Sequence, residues 1–129
     1  MIYIVDTYAW IEYFEGSKKG GILKSLIEQK NNKLVTMECC LAELIGYALK
    51  HNTDFTLMYK LVKMNSVILP VLTSHWLEAA KIKSELRVKI AHFGLIDAIL
   101  VAKQKELKCK LVSGDPHFKS LKDILYIGD

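Results

Sequence analysis

Short apolar runs of strand type alternate with helical segments along the whole chain, and this alternation is the strongest constraint on its fold. Ile2 to Val5, Lys33 to Val35, Val67 to Val71, Cys109 to Ser113 and Leu125 to Ile127 read as strands. Tyr8 to Phe14, Gly20 to Gln29, a segment capped by Thr36 and running to about Lys50, and Thr53 to Met64 read as helices. A longer helix, capped by Thr73 or Ser74, carries Trp76, Ala79, Ala80, Ile82 and Leu86. Strands joined through helices pair in parallel, so the spacing predicts an α/β fold with a largely parallel central sheet covered by helices on both faces. One helix stands apart. After Gly94 the chain reads Leu95-Ile96-Asp97-Ala98-Ile99-Leu100-Val101-Ala102, apolar nearly all round, which predicts a helix buried within the domain through Glu106.

A chain of 129 residues, 51% hydrophobic, has material for one core and not for two, so residues 1–129 are expected to form a single domain. A formal net charge of +4 is too mild for a histone-like polycation and leaves room for a selective basic face. Seventeen of the eighteen basic residues are Lys and only Arg87 is Arg, so arginine forks are not a theme of anion recognition here. The start Met1-Ile2-Tyr3-Ile4-Val5-Asp6 does not read as a secretory signal, and no apolar run approaches the ~20 residues of a membrane span. Three cysteines, two of them adjacent at Cys39 and Cys40, form no disulfide framework and suit reduced thiols in the cytoplasm.

Four acids call for an explanation. Asp6 follows the first strand and Asp115 the fourth, and strand carboxyl ends are where parallel sheets place ligands. Each also suits a plain helix cap, Asp6 before Thr7 and Asp115 before Pro116. Asp97 sits in the first turn of the helix with no polar face, where a carboxylate is costly unless a metal or donor cluster compensates it. Glu43 projects away from a stripe of Leu41, Leu44, Ile45, Ala48 and Leu49, on the side that carries Cys39 and Gly46. A solvated Glu reads equally well there, and Glu38, nearer the stripe, competes for the role. Hard oxygen ligands of this kind select Mg2+ or Mn2+. Zinc spacing is absent: His51, His75, His92 and His117 form no paired pattern with the cysteines and read as surface or satisfied residues.

The strings Ile4-Val5-Asp6-Thr7-Tyr8-Ala9-Trp10-Ile11, Leu41-Ala42-Glu43-Leu44, Gly94 to Ala102, and Leu111-Val112-Ser113-Gly114-Asp115-Pro116-His117-Phe118 together resemble the PIN domain. Length and plan match the single-domain VapC-like toxins of toxin–antitoxin pairs. The resemblance implies that Asp6, Glu43, Asp97 and Asp115 are a metal-holding quartet for RNA phosphodiester cleavage, with Ser113 and Thr7 in support. Gly114 departs from the polar or basic residue frequent at that position. The expected protein is therefore a Mg2+- or Mn2+-dependent endoribonuclease, a homodimer, with an RNA substrate and a cognate antitoxin as partners and no membrane association.

The chemistry stands beside the name. Carboxylates that hold a divalent ion can activate water and neutralise charge at a phosphate, and with the four acids so engaged eighteen bases face ten remaining acids. A receiver-type phosphoacceptor domain needs an acidic pair after the first strand, and Val5-Asp6-Thr7 offers one acid. A non-catalytic RNA-binding or protein-interaction module on the same fold has no need of acids at all four positions, so catalysis is the better reading.

Overall fold

The computed structural model covers residues 1–129. Its elements are β1 (Ile2–Val5), α1 (Thr7–Glu15), α2 (Lys18–Glu28), β2 (Lys33–Met37), α3 (Cys39–His51), α4 (Phe55–Asn65), β3 (Val67–Leu69), α5 (Thr73–Leu86), α6 (Leu95–Leu107), β4 (Lys110–Ser113), a 3-10 turn at Pro116–Phe118 and β5 (Ile124–Tyr126). All strands are parallel, in the order β3-β2-β1-β4-β5. The chain builds outward from β1 in one direction and then crosses to build outward from β4 in the other. The order therefore reverses between β1 and β4, and a crevice opens at their carboxyl ends.

Side chains of successive strand residues point to opposite faces, and here both faces are covered. Tyr3, Val5, Leu34 and Val112 pack with Trp10, Leu23, Leu44 and Val62 on the side of α1 to α4. Ile4, Val35 and Leu111 pack with Ala79, Ile82, Phe93, Phe118 and the buried stretch of α6 on the other. The α6 expectation holds: every residue from Ala98 to Gln104 is buried. Its two polar members are answered, Lys103 by Glu106 and Gln104 by the carbonyls of Lys122 and Asp123.

Three local expectations fail, each for a tertiary reason. Thr36 caps no helix; it lies inside β2, fully buried, and its hydroxyl accepts from the Trp10 indole N–H (3.1 Å) and pairs with the Ser66 hydroxyl (2.8 Å). Ser66 in turn donates to the Val62 carbonyl, so this chain ties α1, β2 and the end of α4 together. Neither Thr73 nor Ser74 caps α5; the Leu72 N–H is answered by Nδ1 of the buried His75 (3.0 Å). The α3 stripe is rotated, with Cys40, Leu44 and Ala48 buried while Ile45 and Leu49 face outward. Thr36→Val leaves the buried Trp10 N–H without an acceptor, and we expect a loss of about 1–3 kcal/mol. The urea midpoint at unchanged slope measures it.

Candidate active site

The crevice between β1 and β4 collects one acid from each of four segments. Asp6 is the residue after β1 and caps α1: its Oδ1 accepts the Thr7 N–H at 2.8 Å, while Oδ2 accepts from the Ser113 hydroxyl at 2.6 Å. Thr7 then donates its own hydroxyl to Glu43 Oε1 (2.8 Å), which draws Glu43 from α3 to the end of β1. On the β4 side, Ser113 Oγ accepts the Asp115 N–H (3.0 Å), and Asp115 caps the 3-10 turn by accepting the His117 N–H (2.9 Å). Asp97, at the start of α6, accepts the Gly94 N–H and the His117 ring Nδ1, both at 3.0 Å. Asp6 and Asp115 both cap as a plain reading of the chain expects, and capping leaves each carboxylate close to a second acid, Asp6 to Glu43 and Asp115 to Asp97.

Convergence occurs in two halves. Ligand atoms of Asp6, Cys40 and Glu43 lie within 4.8 Å of one another, and so do those of Asp97, Asp115 and His117. The halves feel each other through charge. Burial pushes the Asp6 carboxyl up to about 7 against the pull of Ser113, and the Glu43 and Asp97 charges push it further. Glu43 is exposed overall, yet partial desolvation of its carboxyl group raises it, with repulsion from Asp97 and Asp115 adding to this. Desolvation also raises Asp97, opposed by the Gly94 N–H and His117. Like charges pressed together in a partly dry crevice favour a cation, and these oxygen-rich groups could hold a divalent metal ion.

Sequence reasoning missed two members of this neighbourhood, His117 and Cys40. His117 reads as a surface residue, but its ring Nδ1 sits 3.0 Å from Asp97 and 3.5 Å from Asp115. A spacing of two residues from Asp115 across a tight turn was the available signal. Cys40 stands one helical turn before Glu43 and shares its face. Tyr8 lies against Gly114: a Cβ on Gly114 would come within 2.2 Å of the Tyr8 ring, so no side chain fits at 114 while Tyr8 keeps its place. The Tyr8 hydroxyl accepts from Lys19 (3.1 Å). Glu38 leaves the contest for the acidic role, since its carboxylate accepts the Val71 N–H (2.9 Å) and pins the exit of β3.

A groove of about 600 Å³ lies elsewhere, between the α1–α2 junction and the α3–α4 pair, lined by Tyr13, Phe14, Tyr47, Leu57, Met58 and Leu61 among others. No helix is long and apolar enough to cross a membrane.

Comparison with known proteins places this architecture. Among solved structures, a toxin–antitoxin complex from Klebsiella pneumoniae superposes with a TM-score of 0.73 at 16% identity, covering 98% of both chains. VapBC2 from Rickettsia felis, bound to a DNA fragment from its promoter, gives 0.69 at 18% identity over 98% of this chain and 97% of that one. VapC20 of Mycobacterium tuberculosis, a toxin that cleaves the sarcin-ricin loop, gives 0.72 at 16% identity over 90% of this chain and 92% of that one. At such identities the likeness is one of fold. No curated protein matches the sequence. A family model does: the PIN domain model spans residues 3–124. With a five-stranded parallel sheet in 3-2-1-4-5 order, acids at its β1–β4 crevice, and a family match over nearly its whole length, the chain belongs to the PIN domain family.

Proposed function

We propose that this protein is a divalent-metal-dependent endoribonuclease, the toxin of a toxin–antitoxin pair, acting as one domain over residues 1–129. The observation that carries the reading is the pairing of Asp6 with Glu43 and of Asp97 with Asp115 in two neighbouring groups that repel each other's charge, with Asp6 raised to about 7 by burial and by Glu43 and Asp97. Such a cluster is unfavourable by itself and becomes favourable around Mg2+ or Mn2+.

Asp6, Glu43, Asp97 and Asp115 would hold the ion. Bound there, a divalent ion supplies charge neutralisation at the scissile phosphate and acidifies the attacking water. Ser113 and Thr7 fix the carboxylates, since each spends its hydroxyl proton on one of them, on Asp6 and Glu43 respectively. His117, with its ring Nδ1 3.0 Å from Asp97 and 3.5 Å from Asp115, would help to position both carboxylates. Because short Asp side chains must approach the phosphate directly, the substrate is unpaired RNA, whose backbone adapts more readily than an A-form duplex.

The solved toxin–antitoxin complexes support an antitoxin as the protein partner. The apolar groove lined by Tyr13, Phe14, Leu57 and Met58 fits one face of a partner helix. Trp10, in contrast, is fully buried and belongs to the core.

The test is cleavage of an RNA hairpin with an unpaired loop by the pure protein, with Mn2+ or Mg2+ and then with excess EDTA. Loop cleavage with metal and none with EDTA is the expected result; cutting that persists in EDTA overturns the mechanism. A homodimer is expected as well, since two crevices in one basic groove enlarge the contact with a long RNA. Light scattering that finds only a 14.7 kDa particle refutes it.

A further inference from the structure

At the amino ends of the strands, opposite the crevice, the surface carries a second feature of the opposite charge. Two adjoining cavities of about 480 and 320 Å³ share Lys108, Cys109 and Asp123 as walls and together make one trough. It runs from the α6 side, where Leu86, Val101 and Leu121 line it, to the first residues of β1 and β4. Lys105, Lys108, Lys110 and Lys122 stand along it, all exposed, with Asp123 as the one acid among the lining residues. Four lysines less one aspartate give the trough +3 of the molecule's formal +4.

Helix chemistry accounts for part of this. Lys105, in the last turn of α6, faces the negative end of the helix dipole. Lys108 caps α6 in the left-handed conformation, φ 51, where glycine serves at lower cost. Lys110 opens β4 and Lys122 precedes β5, so no helix end calls for either. Lys19 and Lys103 meet carboxylates elsewhere in the protein, whereas none of these four does. A surface built only for solubility intersperses the two signs. Here like charges from three segments surround a concavity unpaired, an arrangement that repels itself and is relieved by an anion laid along it. The charges are spread over two cavities, which suits a chain of phosphates better than a single one. No aromatic side chain lines the trough, so bases find no stacking platform and the backbone is what it can hold.

We propose that the trough is a second RNA-contacting surface, which tracks the phosphate backbone of the strand whose scissile bond lies in the crevice. The choice of RNA as the polyanion rests on the ribonuclease reading above; the charge and shape of the trough do not. The four residues of β4 set trough and crevice ~10 Å apart along the strand, and within the sheet only the three-residue β5 lies beyond it at that edge. A long unpaired strand therefore reaches both, and a short one fills the crevice alone.

Binding is measured by fluorescence anisotropy on the full-length Asp97→Asn protein with Mg2+, so that the RNA stays whole. Between about eight and about twenty unpaired nucleotides, affinity should rise at least about tenfold as the strand reaches the trough. Lys105→Gln, Lys108→Gln, Lys110→Gln and Lys122→Gln together should remove that gain and lower the slope of log affinity against log salt by about two to three on the long strand. Removing the same number of charges from exposed positions of α2 and α4, with Lys18→Gln, Lys24→Gln, Lys60→Gln and Lys63→Gln, should leave the gain in place. No gain with length, a gain that survives in the trough variant, or an equal loss in the α2 and α4 variant overturns the surface. Poly-glutamate that binds as tightly as the long RNA, and through the same four lysines, overturns RNA as the occupant. A wild-type protein that cuts no RNA with metal, while the trough lysines carry the gain with length, refutes the ribonuclease reading and upholds the surface. Metal-dependent cutting of the hairpin with no contribution from those lysines does the reverse.

Discussion

Asp97→Asn should reduce metal-dependent cleavage of a looped RNA hairpin by at least about a thousandfold while leaving RNA affinity unchanged or stronger, a difference of about 4 kcal/mol in transition-state stabilisation. The substitution is nearly isosteric, and the carbonyl of the new amide side chain can still accept the Gly94 N–H that closes the first turn of α6, so the fold should survive. What disappears is one negative oxygen of the proposed metal-holding set together with the charge to which His117 donates. Losing a negative charge that faces phosphate favours binding, and losing a metal ligand disfavours chemistry. The two effects therefore separate in single-turnover rates and in filter-binding affinities. Cleavage that survives the substitution would show that the quartet is not the catalytic centre.

The second large effect is on stability. The Asp6 carboxyl titrates at about 7 in the folded protein against a reference of 3.8, first because it is buried and then because Glu43 and Asp97 repel its charge. A carboxyl raised on folding holds its proton more tightly in the native state, so unfolding loses a proton as the pH rises between the two values. Metal-free protein should be most stable near pH 4 as far as this group is concerned, lose stability between about pH 4 and 7, and level off above that, the loss being on the order of 4 kcal/mol. Glu43 and Asp97, raised in the same direction, add to the trend.

Two consequences follow for thermal melts. Mn2+ or Mg2+ should raise Tm far more at about pH 8 than at about pH 5, because the ion binds the ionised native cluster. Asp6→Asn should raise the Tm of the metal-free protein at about pH 8 by several degrees, corresponding to roughly 1–3 kcal/mol, and remove most of the metal-induced shift. The gain falls short of the full cost because the Asn amide offers one acceptor where the carboxylate offers two, to Thr7 and to Ser113. A metal-free wild type that becomes more stable from about pH 4 to 7 would contradict this account of the crevice.

The order of strands and helices was legible in the chain alone, since it rests on local periodicity. A run such as Ile2–Val5 is too short for a helix and is continuously apolar, as a strand buried on both faces is, and α6 announces its burial by its nearly continuous apolar stretch from Ala98 to Ala102. The acids were legible because charge at a strand end or on a buried helix runs against the burial around it. Asp97 stands out on that ground without any knowledge of its neighbours in space, whereas Asp6 and Asp115, each at a strand end, read by themselves equally as helix caps. Glu43 was less so, and became distinct only when its string was read in order with the other three.

Tertiary structure alone decided how the helices are turned and which side chains meet. Periodicity in α3 defines an apolar stripe but not its angle to the sheet; packing against α1, α4 and β2 turned it to bury Cys40, Leu44 and Ala48 and to leave Ile45 and Leu49 in solvent. That rotation sets Cys40 beside Asp6. Thr36 has the chemistry of a cap and serves inside a strand, because Trp10 and Ser66, 26 and 30 residues away, bring partners for its hydroxyl that no local reading contains. His117 acquires its place between Asp97 and Asp115 in the same way. Hydrophobic patterning and helix propensity act over a few residues and are written in the chain. Hydrogen bonds and charge pairs between distant segments exist only once burial has closed the distance, and the site is made of those.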